Sequence, residues 1–207
     1  MRARSVLGAL AFAVLVTAPA PAGAQTPIHY GITAGLNLAG VSGDIGDFLT
    51  ENRTGFAAGG FAEIGLSPAF SIRPEVLYSQ KGAKESEGSD EIVFKLSYIE
   101  IPVLAKYAIP MEGSLRPWLA AGPAISFKAG CDVEADIGGT EDSADCDETE
   151  FQMKSTDFSL VFGAGVDVGA FSLGIRYDLG LANTLDVDDF DSKNQTLSLM
   201  AGYTFGR

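Results

Sequence analysis

The stretch DFSLVFGAGVDVGAFSLGIRYDLGLA, residues 157–182, carries the same period-two pattern twice. Before Gly169-Ala170 the apolar phase is Phe158, Leu160, Phe162, Ala164, Val166 and Val168. After it the apolar phase is Phe171, Leu173, Ile175, Tyr177, Leu179 and Leu181. Two alternating runs joined by two residues predict a pair of antiparallel strands. The other phase holds Gly, Ser, Asp167, Arg176 and Asp178. Each run is about twice as long as the 5–6 residues usual in soluble sheets.

Working outward, the pattern recurs six more times. Apolar phases run through Tyr30–Gly40 (Tyr30, Ile32, Ala34, Leu36, Leu38) and Gly55–Leu66 (Phe56, Ala58, Ala62, Ile64, Leu66). Phe70–Gly82 gives Phe70, Ile72, Pro74, Val76 and Tyr78, and Leu96–Ile109 gives Ile99, Ile101, Val103, Ala105 and Tyr107. The remaining two are Leu115–Phe127 (Leu115, Pro117, Leu119, Ala121, Pro123, Ile125, Phe127) and Gln195–Phe205 (Leu197, Leu199, Ala201, Tyr203, Phe205). Strands of this length cross a bilayer at a tilt, and closure removes the edge N–H and C=O groups that lipid cannot satisfy. The expected fold is all-β: an eight-stranded antiparallel up-and-down transmembrane β-barrel. Its apolar phase faces lipid. Its polar phase, with Arg73, Glu75, Glu100, Lys106, Arg116, Arg176 and Asp178, forms an internal ion-pair network, joined by Glu63 and Asp167.

Connections alternate long and short: Val41–Thr54, Ser67–Ala69, Ala83–Lys95, Pro110–Ser114, Ala129–Ser155, Gly169-Ala170, Asn183–Asn194. Charge follows the same parity. The four long connections hold 20 acidic and 5 basic residues, whereas the strands and short turns hold 7 of each. Balanced strands suit insertion into lipid, and a surplus of carboxylates suits the watery outer side.

Residues 1–24 read as an export signal. Arg2 and Arg4 precede an apolar run from Val6 to Val16, and Ala22-Gly23-Ala24 fits a small-residue cleavage site before Gln25. The barrel domain is then 25–207, placed in a bacterial outer membrane with outer-membrane lipid as its solvent. The only two cysteines, Cys131 and Cys146, lie in the exported part. An oxidising compartment predicts that they pair, and a cross-link at its base shortens the otherwise self-repelling and extended acidic run Asp132–Asp145 into a surface-exposed lobe.

Arg73-Pro74-Glu75-Val76-Leu77-Tyr78-Ser79-Gln80-Lys81-Gly82 resembles a segment of the PorT-like outer-membrane β-barrel family, often labelled porin family. Tyr98-Ile99-Glu100-Ile101-Pro102-Val103-Leu104-Ala105-Lys106-Tyr107 and Arg116-Pro117-Trp118-Leu119-Ala120-Ala121-Gly122-Pro123 are similar to its following strands. Gly31-Ile32-Thr33-Ala34-Gly35-Leu36-Asn37 and Gly174-Ile175-Arg176-Tyr177 fit as well. The resemblance implies an OmpA-like barrel of eight strands, and it accommodates Pro74, Pro102, Pro117 and Pro123, which propensity alone counts against strands. A terminal aromatic is usual in such barrels; here Gly206-Arg207 follow Phe205.

Catalytic equipment is sparse. The only histidine, His29, lies near the start of the exported chain, and Gly163-Ala164-Gly165 lacks the third glycine of a dinucleotide loop. No enzyme activity and no cofactor are expected, and a pI of 4.3 opposes nucleic acid as a partner. Asp186, Asp188, Asp189 and Asp191 offer hard oxygen ligands for divalent cations, but in no EF-hand order. The expected function is a structural or surface-interaction barrel, with any extracellular ligand or cation at its acidic loops. The alternatives are a narrow pore and a soluble lipocalin-type carrier, whose apolar phase would face inward.

Overall fold

The computed structural model describes residues 27–43, 51–87, 90–146, 154–183 and 192–206. Among the described residues, nine strands form one sheet: β1 Ile28–Gly43, β2 Glu51–Gly65, β3 Phe70–Glu87, β4 Asp90–Ala108, β5 Leu115–Ile137, β6 Thr140–Asp145, β7 Thr156–Val168, β8 Phe171–Gly180 and β9 Ser192–Thr204. Neighbours run β4-β3-β2-β1-β9-β8-β7-β5, and pairing of β4 with β5 closes the ring. Every pairing is antiparallel. Eight strands therefore make the barrel, and β6 is an appendage paired to the upper part of β5 alone.

The apolar phase faces outward along every barrel strand. Ile32, Leu36, Phe70, Val76, Leu119, Phe158, Phe162, Leu173, Ile175, Leu197 and Leu199 are all exposed. In water such a continuous apolar belt would be an aggregation hazard; in lipid it is the wetted surface. Aromatic rings gather at its two margins. Phe70 stacks with Tyr107 at 4.7 Å and Phe171 with Tyr203 at 5.2 Å on the short-turn side. Phe56 meets Tyr78 at 5.7 Å on the other. From Phe70 to Tyr78 is about 26 Å of strand at ~3.3 Å per residue. At a tilt near ~40° that gives about 20 Å of height, close to the apolar band of an outer-membrane barrel.

Above this belt the structure departs from the sequence reading. The connection Ala83–Lys95 is not a loop: β3 continues to Glu87 and β4 begins at Asp90, in unbroken register through Glu87↔Asp90. The cross-linked lobe Asp132–Asp145 has regular structure as well. It is a hairpin of β5 and β6, with pairs from Asp132↔Asp145 to Ile137↔Thr140. Gly138 and Gly139, at φ of 61° and 82°, form its two-residue turn; both angles are positive, as the type I′ hairpin requires. Cys131 and Cys146 are joined at its base, with Cα atoms 5.4 Å apart.

The physical reason for these extensions is a second amphipathic surface of inverted sense. Between Ser97↔Gly130 and Tyr98↔Lys128 the register of β4 and β5 shifts by one residue, which makes Ala129 a β-bulge. Below it the odd positions of β5 face lipid. Above it the odd positions Cys131 and Val133 turn inward, packing with Leu96 and Tyr98. On β4 the apolar phase itself changes, from Ile99, Ile101 and Val103 outside to Leu96 and Tyr98 inside, both 1% exposed. The sheet that is apolar outside in the membrane is thus apolar inside above it.

Within the barrel, Trp118 faces inward and is 6% exposed. It packs with Leu104, Ala120, Ala124 and Val161. Its indole occupies the space left by facing glycines: a Cβ at Gly165 would come 2.5 Å from its Cζ2, and one at Gly174 would come 2.7 Å from its Cη2. These glycines belong to the polar phase because a large ring on β5 needs bare backbone opposite it.

Candidate functional site: a layered lumen and an acidic rim

Two ion-pair layers fill the lumen. In the lower one, Lys106 Nζ lies 2.8 Å from Asp167 Oδ2 and 3.2 Å from Glu63 Oε2. Arg73 Nε lies 2.7 Å from Glu75 Oε1. Arg176 donates to both oxygens of Glu75, at 2.5 and 2.7 Å. The Arg73 guanidinium sits 3.5 Å over the Phe61 ring, which covers its apolar face. Three cations thus face three carboxylates, and the layer is neutral.

A band of neutral hydrogen bonds comes next. Asn37 Nδ2 donates to Ser79 Oγ at 3.1 Å and to the Gln80 carbonyl at 2.9 Å, while Ser198 Oγ donates to Asn37 Oδ1 at 2.8 Å. The upper layer is built on Lys81, whose Nζ lies 2.6 Å from Glu100 and 3.6 Å from Asp178. Nearby, Asn194 Nδ2 donates to Asp157 Oδ2 at 2.8 Å and lies 3.5 Å from the Tyr98 hydroxyl.

The structure places Arg73, Glu75, Lys106 and Arg176 in the lower layer, and Glu100 and Asp178 in the upper. Arg116 departs from the expected network. It stands at the first turn of β5, exposed, lining a cavity of about 640 Å³ at the short-turn mouth with Glu63, Lys106, Asp167 and His29. Its strand position has the right phase but lies too near the end for burial. Lys81, Asp157, Tyr98 and Asn194 were not picked out as lumen residues by sequence reasoning. For Lys81, Asp157 and Tyr98 the polar phase of the strand was the available signal, whereas Asn194 closes a stretch that reads as a connection. Asp186, Asp188, Asp189 and Asp191 lie outside the described residues. Among the described residues no three His, Cys, Asp or Glu side chains gather as a metal-binding group.

The rim is formed by the outward face of the extended β2–β6 sheet. Glu91 stands directly opposite Asp136, and Asp132 directly opposite Asp145. Like charges directly across a ladder are destabilising, and cations on neighbouring strands offset them: Arg53 is attracted by Glu134. Lys84 Nζ bridges Glu51 and Glu91 at 3.0 and 3.2 Å, and Lys95 pairs with Glu134. Donating hydrogen bonds to the Glu51 and Glu91 carboxylates holds the Lys84 ammonium above its ordinary range. What keeps this acidic hairpin folded is its inner side, where Cys146 is fully buried and Leu96 nearly so. Replacing both Cys131 and Cys146 by Ser should cost the hairpin about 3 kcal/mol. Amide exchange across 131–146 should then speed up while the barrel strands keep their protection; unchanged exchange would show that the disulfide holds nothing.

A closed antiparallel barrel with a lipid-facing apolar belt, a charged lumen and asymmetric ends is a transmembrane barrel of the outer-membrane type. The family described as "Outer membrane protein beta-barrel domain" matches residues 23–186, and the chain belongs to it. Among curated proteins no match is found. Similar solved structures include Neisserial surface protein A, with 16% identity and a TM-score of 0.48, covering 85% of this chain and 97% of that one. Ail, the attachment invasion locus protein of Yersinia pestis, has 19% identity and a TM-score of 0.44, covering 86% and 98%. OprG from Pseudomonas aeruginosa has 10% identity and a TM-score of 0.46, covering 88% and 98%. With the apolar phase outside and ion pairs inside, a soluble lipocalin-type carrier is not favoured.

Proposed function

We propose that residues 1–24 export this chain, that 25–207 form one barrel of the PorT-like group, and that it acts at the cell surface through its acidic rim. The observation that carries this reading is the direction of that rim. Asp132, Glu134 and Asp136 point outward directly above the lipid belt, toward the layer where headgroup phosphates lie, and not upward into solution. Carboxylates beside phosphates repel unless hard divalent cations stand between them, and such cations prefer oxygen ligands from both. The rim therefore clamps the barrel to the phosphorylated outer leaflet through Mg²⁺ or Ca²⁺, and leaves the top of the sheet for contact with an extracellular partner.

A narrow pore is the second reading. The lumen argues against steady conductance, because Trp118 and two ion-pair layers occupy it, as expected for eight strands. The protein acts by surface contact, without catalysis or a cofactor.

Two measurements test this. Protein from the outer-membrane fraction should migrate differently on SDS gels before and after boiling; recovery from a soluble fraction with no shift would refute the barrel in lipid. A variant with Asp132→Asn, Glu134→Gln and Asp136→Asn should keep the heat shift. In vesicles of phosphorylated outer-leaflet lipid it should lose most of the stabilisation that millimolar Mg²⁺ gives the native chain. Equal Mg²⁺ response in both proteins would remove the clamp.

A further inference from the structure

The short-turn mouth holds one cation more than the ion-pair layer above it uses. In that layer Lys106, Arg73 and Arg176 balance Glu63, Glu75 and Asp167, and Arg116 is left over. The ladder sets Asp167 directly opposite Arg116. Its carboxylate nevertheless goes to Lys106 Nζ, 2.8 Å away, and Glu63 Oε2 lies 3.2 Å from the same nitrogen. Both acids that line the mouth are therefore held by one lysine. Among the described residues no carboxylate lies within ion-pair distance of Arg116. Glu112, in the neighbouring turn, is exposed and outside the cavity lining.

Arg116 opens onto two cavities. The larger, of about 640 Å³, spans the mouth from His29 on β1 to Arg116 on β5, with the buried Lys106 and Asp167 at its floor. The smaller, of about 240 Å³, lies between Arg116, Asp167 and the turn residues Gly113, Ser114 and Gly169. Trp118, whose ring is 5.3 Å from Lys106 Nζ, closes the lumen beyond the floor. The wall beside Arg116 is apolar. Ile109 N–H donates to the Pro117 carbonyl at 2.8 Å, which lays the exit of β4, Ile109-Pro110-Met111, alongside the start of β5. All three line the larger cavity, and Met111 is 55% exposed, so this apolar surface is open to whatever enters. The volume is that of a site enclosing a small organic molecule.

We propose that this mouth binds a small carboxylate that carries an apolar body. The guanidinium takes the carboxylate through two parallel N–H donors, the recognition to which arginine is best suited. The apolar body lies against Ile109, Pro110 and Met111 and leaves water as it does so. The walls of the mouth screen the pair less than open solvent screens a surface pair. A bare inorganic anion gains only the first of these contacts, and Lys106 adds no second cation because two carboxylates hold it. The carboxyl end of a peptide and a free organic acid share this chemistry. His29, half-buried on the facing wall, offers its ring nitrogens to the amide of the peptide form alone. The site lies at the opposite end of the barrel from the acidic rim and does not depend on it.

The test uses the full chain in detergent without carboxylate buffers. Binding is followed by calorimetry and by the emission of Trp118, the only tryptophan. N-acetyl-phenylalanine and phenylpropionate share a carboxylate and a ring, and only the first has a peptide amide. Saturable binding of at least one of them, one per chain, is expected. N-acetyl-phenylalanine amide, which lacks the charge, should bind about 10-fold more weakly or worse. Tighter binding of N-acetyl-phenylalanine assigns the peptide end, and equal or tighter binding of phenylpropionate assigns an organic acid. Arg116→Gln should lose about 10-fold or more, and Arg116→Lys should recover part of that loss. Both should keep the heat shift, because Arg116 stands outside the paired layer. Met111→Ser, in an exposed turn, should also weaken both acids, and it decides the matter should Arg116→Gln fail to assemble. The proposal is overturned if neither acid binds the native chain, or if either Arg116→Gln or Met111→Ser binds them as tightly as the native chain does. Inorganic phosphate binding as tightly as the acids overturns it as well.

Discussion

Glu75→Ala should destabilise the barrel by about 3–5 kcal/mol, the range for removing one partner from a buried ion pair. Glu75 is 1% exposed and receives Arg176 in a bidentate pair together with Arg73 Nε. Its loss leaves two guanidinium groups facing each other across the lumen with no anion between them. Glu75→Gln keeps the volume but not the charge and should cost nearly as much, since the repulsion is the same. Glu63→Gln should cost less, because that side chain is 13% exposed and reaches water at the short-turn mouth. Urea unfolding in lipid vesicles, together with the gel-shift temperature, measures all three. A loss below about 1 kcal/mol for Glu75→Ala would mean that the two arginines find other partners and that the layer is not a unit.

Trp118→Ala should cost a comparable ~3–5 kcal/mol, by a different mechanism. No charge changes; a void opens between β5 and the glycine faces of β7 and β8. The reciprocal change Gly174→Leu should be at least as damaging, because its side chain enters space already filled by the indole and neither backbone can retreat in a closed ring. Combining Trp118→Ala with Gly174→Leu should recover part of the loss, as the new side chain fills the void. Independent losses in the double variant, measured by the same unfolding curves, would show that the two positions do not share one space.

The barrel below the bulge is legible in the sequence because lipid enforces a strict rule. An outward residue in the belt must be apolar, so phase can be read one strand at a time, as from Phe158 to Val168. The lumen is legible only in outline. The phase of a strand says that Arg73 or Asp178 points inward, but which charges meet depends on register around the ring. For Arg116 it depends on depth: the phase is right and the position is too near the mouth. Lys81 shows the converse. It shares the phase of Arg73 and Glu75, yet its partners Glu100 and Asp178 come from two other strands, one of them 97 positions away in number.

The extension above the membrane is the part that the sequence hides. On β4 the apolar positions pass from even to odd between Leu96 and Ile99, and a change of phase reads as the end of a strand. On β5 the apolar phase runs unbroken from Leu115 past Cys131 to Ile137, which reads as one surface facing one way. Neither strand alone reveals the inversion. It needs the extra residue at Ala129, which reverses β5 and so matches it to the change written into β4.

That single residue gives the molecule a seam. Everything above Ala129 on β5, including β6 and the disulfide, is joined to the barrel through one pleat reversal, and its polarity rule is independent of lipid. The upper segment is therefore an interchangeable cassette. A different ectodomain of any charge could be grafted there, provided that the junction keeps an odd offset and the partner strand changes phase at the same height. Deletion of Ala129 alone would turn the whole cassette inside out without altering any other residue. Diversification of such a surface should then proceed by insertions and deletions counted in pairs, with single-residue changes confined to the seam.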